Sequence, residues 1–323
     1  MPPAALEFCA RFGVSVPIAN APMAFVAGGA LAAAVADAGG LGVIGGGYGD
    51  HAWIRSQRAL AGDRDVAVGL ITWRLAERHD IVARLVDDGV RTFLLSFGEP
   101  SPYARTILDA GGRLICQVQS VNEAERAAAC GAAAIIAQGH EAGGHGRSGE
   151  SVVSLVPEVV AAVDPVPVLA AGGIATGRDL AAVWAHGAAG AAVGTRLYAT
   201  PEAIDSDVVK RRLIEATDGD TIRTSVFEIV RGPEWPAGYD GRALQNLTTD
   251  EWHDRIDALG ADPATARERY ATAALEDDVT RRVIWAGTGV GQVHDLRAAA
   301  DVLEELVTDA CAARSQVSSD PGP

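Results

Sequence analysis

The segment Gln138 to Arg147 reads Q-G-H-E-A-G-G-H-G-R and crowds two histidines, a glutamate, an arginine and four glycines together. A histidine in such a loop can act as a general base near neutral pH. Metal binding is the competing chemistry, because His140, Glu141 and His145 are all potential ligands. The spacing H-E-x-x-x-H is one residue longer than the helical zinc motif H-E-x-x-H, and Gly143-Gly144 opposes a helix, so no metal is expected. Two further glycine-rich stretches, A-A-G-G-I-A-T-G from Ala170 to Gly177 and G-T-R from Gly194 to Arg196, have a different potential. Glycines let backbone N–H groups close around a phosphate, and a helix start behind them adds a favourable dipole. Near the start, A-P-M from Ala21 to Met23 and G-G-G-Y-G from Gly45 to Gly49 offer apolar and backbone surface suited to a flat aromatic ring.

These segments need a scaffold, and the chain repeats one. A short apolar run, a polar or glycine-rich loop and a helical pattern recur along the first two thirds. The runs are Val16 to Ala21, Leu41 to Gly45, Val66 to Ile71, Thr92 to Phe97, Arg113 to Val118, Ala134 to Gln138, Val166 to Ala171 and Gly190 to Thr195. Continuous rather than alternating apolar residues mean strands covered on both faces. Eight such strands with helices between them predict a (β/α)8 TIM barrel. An open doubly wound sheet uses the same units, but its nucleotide loop lies near the first strand, whereas the glycine loops here come late. A barrel brings all these loops to the C-terminal mouth and binds phosphate after its seventh and eighth strands. That position assigns Gly172, Gly173, Gly194 and Thr195 to a phosphate.

With 42 Asp and Glu against 27 Lys and Arg, the net charge of −15 disfavours a nucleic-acid partner. Cys9, Cys116, Cys130 and Cys311 stand far apart, which gives neither a disulfide framework nor a zinc spacing and fits a reducing cytoplasm. The uncharged stretch from Phe12 to Ala36 is interrupted by Pro17, Asn20, Pro22 and Gly28-Gly29, so it reads as neither signal nor membrane span. Residues 1–213 and 283–313 are expected to form the barrel. Residues 214–282, dense in charge and carrying Trp235, Tyr239, Trp252 and Tyr270, are expected to form a mainly α-helical appendage lining a lid, and 314–323 a flexible tail. A small-molecule substrate is the expected partner; no pattern names an oligomeric state, and a homo-oligomer stays open.

N-A-P-M at Asn20 to Met23, Q-G-x-E-A-G-G-H-G after the sixth run, A-A-G-G-I after the seventh, G-T-R-x-x-A-T-x-E-A after the eighth and A-G-x-G-V-G from Ala286 together resemble the nitronate monooxygenase family, over about residues 15 to 307. The resemblance implies a barrel carrying non-covalent FMN. It implies that Ala21, Pro22 and Met23 flank the isoalloxazine, with Gln117 at its polar edge and Gly144 beside it. Gly172, Gly173, Gly194 and Thr195 would hold the phosphate, and His145 would be the catalytic base. The implied reaction oxidises alkyl nitronates or nitroalkanes with O2 to a carbonyl compound and nitrite, with Arg147 or Arg196 supplying positive charge. The chain departs from the family once: where G-V-N commonly follows the third strand, it reads Gly69-Leu70-Ile71-Thr72, so the asparagine's hydrogen bond is missing or comes from Thr72. FMN-dependent NAD(P)H oxidoreductases acting on quinones or enoyl thioesters are similar, and a flavin-free barrel binding a phosphorylated metabolite would use the same phosphate loops.

Overall fold

The computed structural model describes residues 1–232 and 235–319. Eight parallel strands form one sheet: β1 (Ile18–Asn20), β2 (Val43–Gly45), β3 (Ala67–Ile71), β4 (Thr92–Ser96), β5 (Arg113–Val118), β6 (Ala134–Gln138), β8 (Val168–Ala171) and β9 (Gly190–Val193). Their spatial order, β1-β9-β8-β6-β5-β4-β3-β2, brings first and second strands together and rolls the sheet into the expected (β/α)8 barrel. Each strand falls inside a run read from the sequence. Alternate residues along a strand join different apolar layers: Ala134 and Ile136 pack inside the barrel, Ile135 and Ala137 under the surrounding helices. Both layers are dry, which is why the runs do not alternate.

The seam between β1 and β2 has only one bridge, Ala19 to Leu41. The Asn20 side chain completes it: Nδ2 donates to the Val43 carbonyl at 2.7 Å, and the Val43 N–H donates to Oδ1 at 2.7 Å. Both residues are fully buried. The side-chain amide thus reproduces the two hydrogen bonds that a neighbouring peptide would make.

A helix at Pro3–Phe12, ahead of the repeating units, closes the N-terminal end of the barrel. Its Phe8 and Phe12 are buried with Leu94, Ile115 and Leu169 in the inner layer. Side-chain caps set several helix starts: Asp50, Ser120 and Ser151 each accept a backbone N–H, and Thr176 forms a reciprocal box with Asp179. The final helix, Ala299–Ser319, packs between Gly177–Ala185 and Gly29–Asp37, the place due to the helix after the eighth strand. It continues to Ser319, into the segment 314–323 expected to form a flexible tail; 320–323 lie outside the described residues.

Between β9 and that helix lies the appendage. Its helices include Val226–Arg231, Leu247–Trp252, Ile256–Ala261 and Ala264–Leu275, packed around Phe227, Val230 and Leu259. It also holds two strands not anticipated, β10 (Thr221–Thr224) and β11 (Asp240–Leu244). They pair antiparallel, and β11 pairs again with β7 (Gly144–Gly146), a short strand from the His145 loop. Short strands with mixed polarity have no apolar period of their own, so only their pairing defines them. Among the described residues, no helix is long and apolar enough to cross a membrane.

Asn20→Ala leaves a buried N–H and carbonyl of Val43 unpaired. At about 1–3 kcal/mol for each group, denaturant unfolding should show a loss of about 2–6 kcal/mol.

Candidate active site

One large cavity opens at the C-terminal ends of the barrel strands, enclosing about 1310 Å³ when the space open to solvent is counted. Its floor and rim gather Ala21, Pro22, Met23, Gln117, Gly144, His145, Gly172, Gly173, Gly194 and Thr195, the residues expected to hold a cofactor or act as base. Pro22 reaches across the end of β3 because Gly69 has no side chain: a Cβ there would stand 2.4 Å from the proline Cβ.

The loops after β8 and β9 form a cradle of backbone N–H groups. Gly172 has φ +118°, and a Cβ on it would approach the Ala142 nitrogen to 2.9 Å. Among the described residues, no acceptor meets the backbone N–H of Gly172, Gly173, Gly194 or Thr195. The Thr195 hydroxyl accepts from the Gly287 N–H at 2.9 Å, which draws the late glycine turn against the cradle and leaves the hydroxyl proton to donate. Unmatched N–H groups at a loop rim suit an anion such as a phosphate.

Opposite the cradle the wall is aromatic. The His145 ring stacks on Trp235 with centroids 3.6 Å apart and planes 8° from parallel, and Trp285 tilts against it at 4.9 Å. Trp235 also meets Trp73, Phe97 and Tyr239 edge-on. Of the lid aromatics expected from sequence, Trp235 belongs to this wall, Tyr239 packs behind it against Trp235 and Phe97, and Trp252 packs inside the appendage. Phe25 and Phe97 both line the cavity with φ of 62° and 63°. A bulky side chain in the left-handed region costs about 1–3 kcal/mol, and such strain collects at functional sites.

His145 sits on β7, opposite Gly241 of β11. Arg223 donates to the His140 and Ala142 carbonyls and Arg242 to that of His140, so two half-buried arginines hold the loop before it. Gln138 donates to the His145 carbonyl at 3.1 Å and accepts from Gln117 and Gln119. Glu141 does not orient His145; both its carboxylate oxygens accept from the Val152 N–H at the start of the helix Val152–Val163. The carboxylate beside the imidazole is Glu228, with Oε1 2.9 Å from Nε2. The contact is close, but its angle is poor for a hydrogen bond, so both oxygens and Nε2 have no hydrogen-bond partner among the described residues. Burial pushes the His145 imidazole below the ordinary histidine range; Glu228 opposes that shift, while Arg231 and Arg223 add to it.

Other expectations are corrected. Arg196 is buried against Asp295 and its carbonyl, and Arg147 lies on Tyr239 beside Glu123, so neither lines the cavity. Among the described residues the cation lining it is Arg231, whose helix was not readable as part of the mouth. Thr72 is buried outside the lining. A hydroxyl beside Ile71 that does line it is that of Ser96, the register partner of Ile71, buried and with no hydrogen-bond partner among the described residues. Its place at the end of the fourth run was the available signal.

A (β/α)8 barrel with an N–H cradle after its last two strands and a buried histidine across the mouth defines a cofactor-dependent barrel enzyme. The family model described as nitronate monooxygenase matches residues 65–309. A nitronate monooxygenase of Neurospora crassa is 32% identical, covering 91% of this chain and 88% of the other. The chain belongs to the nitronate monooxygenase family and is a flavin oxidoreductase of that kind. Among solved structures, a nitroalkane oxidase from Streptomyces ansochromogenes has a TM-score of 0.78 at 29% identity, covering 96% of this chain and 99% of that one. FabK from Thermotoga maritima has a TM-score of 0.84 at 27% identity, covering 97% and 98%. A carboxyl-CoA dehydrogenase of Rhodococcus jostii is 28% identical, covering 92% and 93%.

Arg242→Ala removes one charged donor from the His140 carbonyl, a bond worth about 1.5–3 kcal/mol. Hydrogen exchange should quicken about ten- to a hundredfold at the amides of 139–146, with the barrel strands unchanged.

Proposed function

We propose that the protein binds FMN and oxidises small alkyl nitronates, or nitroalkanes deprotonated in the site, with O2 to a carbonyl compound and nitrite. The observation that carries this reading is the meeting, in one cavity, of the N–H cradle and the buried His145. The cradle of Gly172, Gly173, Gly194 and Thr195 would hold the phosphate. Ala21, Pro22 and Met23 would lie along the ring system, with Gly144 beside it and Gln117 and Ser96 at its polar edge. Ser96 is the residue that would stand in for the asparagine the family commonly has at Ile71. The transfer of electrons between substrate and O2 is the chemistry a bound FMN supplies.

The chain's own part is binding, proton transfer and exclusion of water. His145, kept neutral by its burial, would take the α-proton of a nitroalkane, which is acidic for a C–H bond. Arg231, at the same cavity, would favour the anion that forms. Residues 214–282 would act as the lid, with Trp235 as the surface that closes on the substrate and Tyr239 behind it.

A second reading keeps the cofactor but takes hydride from NAD(P)H and passes it to a quinone or enoyl thioester. The likeness to FabK and to the carboxyl-CoA dehydrogenase favours it. Anaerobic spectra separate the two: flavin bands that bleach with propyl-2-nitronate and ignore NADH support the nitronate reading, and bleaching by NADH supports the reductase. A protein that takes up no flavin on reconstitution overturns both.

Two variants probe the parts. Gly172→Val, by driving a side chain into the Ala142 nitrogen, should weaken flavin binding at least about tenfold, or about 1.4 kcal/mol, in a fluorescence titration. His145→Gln should lower kcat on a neutral nitroalkane by about 10²–10⁴ while the preformed nitronate turns over near the wild-type rate. In the wild type, the acid limb of kcat/KM for the neutral nitroalkane should fall below about pH 6.5, the ordinary histidine value, because burial favours the neutral base.

A further inference from the structure

Glu228 has no part in the sequence motifs and lies outside the cavity lining. It projects from the appendage helix Val226–Arg231, whose Val226, Phe227 and Val230 are buried in the appendage core. Its side chain is 9% exposed, that of His145 is 11% exposed, and they come from elements far apart in sequence. A buried carboxylate is costly unless a donor meets it, and the group within reach is the imidazole Nε2, 2.9 Å away. Nε2 is the sealed ring nitrogen; Nδ1 is not among the buried unpartnered atoms, and the ring lines the cavity. Trp235 on one face and Trp285 against it limit rotation of the ring. Among the described residues, the other charged groups that act on His145 are Arg231 on the same helix and Arg223 on β10, itself paired with Asp240 of β11.

We propose that Glu228 is the positioning residue of the base: it holds His145 through Nε2 and so presents Nδ1 to the substrate carbon. This rests on the reading of His145 as the base. An ionised carboxylate beside Nε2 selects the tautomer with its proton there, leaving the Nδ1 lone pair free to accept. When Nδ1 takes the α-proton, the ring becomes cationic and the carboxylate stabilises it, while the electron pair of the broken C–H bond moves onto the nitro oxygens. Apo geometry between such partners is commonly misaligned and tightens in the complex, as the poor angle here allows. The appendage thereby contributes to the chemistry as well as to closure.

The test compares wild-type, Glu228→Gln and Glu228→Asp holoenzymes, with His145 assigned by difference from His145→Gln. NMR titration of the imidazole should show proton affinity about tenfold lower in Glu228→Gln, the scale of one lost neighbouring charge, with partial return in Glu228→Asp. On a neutral nitroalkane, Glu228→Gln should lose about 10- to 10³-fold in kcat, with its acid limb displaced to lower pH. On propyl-2-nitronate, already deprotonated, it should stay within about threefold of wild type. An unchanged His145 titration overturns the proposal, and so do equal losses on both substrates with flavin retained. Failure of the wild type to turn over either substrate would sink the nitronate reading instead, and the titration would still decide the pairing.

Discussion

The two hydrogen bonds between the Asn20 side chain and the Val43 backbone are the interaction on which the rest of the site depends. A parallel barrel must join its first and second strands after the chain has gone round once, and here the ladder at that seam has only one bridge. A side-chain amide carries one donor and one acceptor in the spacing of a peptide group, so it can finish the ladder where the backbones diverge. The divergence is useful. It lets Ala21 to Met23 turn inward over the strand ends, where Pro22 lies on Gly69 and the segment becomes one wall of the cavity. Closure of the fold and shape of the mouth are therefore one requirement.

The second constraint is that the histidine loop cannot support itself. It is rich in glycine, and its carbonyls turn away from the barrel ladder. The arginines at 223 and 242, both from the appendage, meet those carbonyls, and β11 pairs with the histidine strand. An insertion after the eighth strand is thus tied to the loop after the sixth. Its cost is a pair of half-buried charges, and the Arg242 guanidinium is pushed below its ordinary range by burial first and by Arg223 next. That cost is consistent with a site that holds a neutral imidazole between a carboxylate and two guanidinium groups.

The cavity is also selective by composition. One side is backbone and small residues, which an extended cofactor can approach closely. The other is aromatic, with two phenylalanines held in left-handed backbone conformations. Such walls bind flat or branched apolar bodies without naming one, which is why family membership defines the chemistry more closely than it defines the substrate.

What the sequence determined by itself was periodic or local. Eight continuous apolar runs specify strands covered on both faces, hence the barrel. The barrel rule then brings Gly172, Gly173, Gly194 and Thr195 to the mouth, and the run of motifs brings Pro22, Met23, Gln117 and His145 to the same cavity. What only the tertiary structure decided was pairing across long separations. Glu228 beside His145, Ser96 in place of Thr72, Arg231 in place of Arg147 or Arg196, and the strands of the appendage have no period and no motif to announce them. A buried charge is selected by the partner that meets it in space, and a short strand by the edge that it joins. Neither partner nor edge is near in sequence, so neither could be read along the chain.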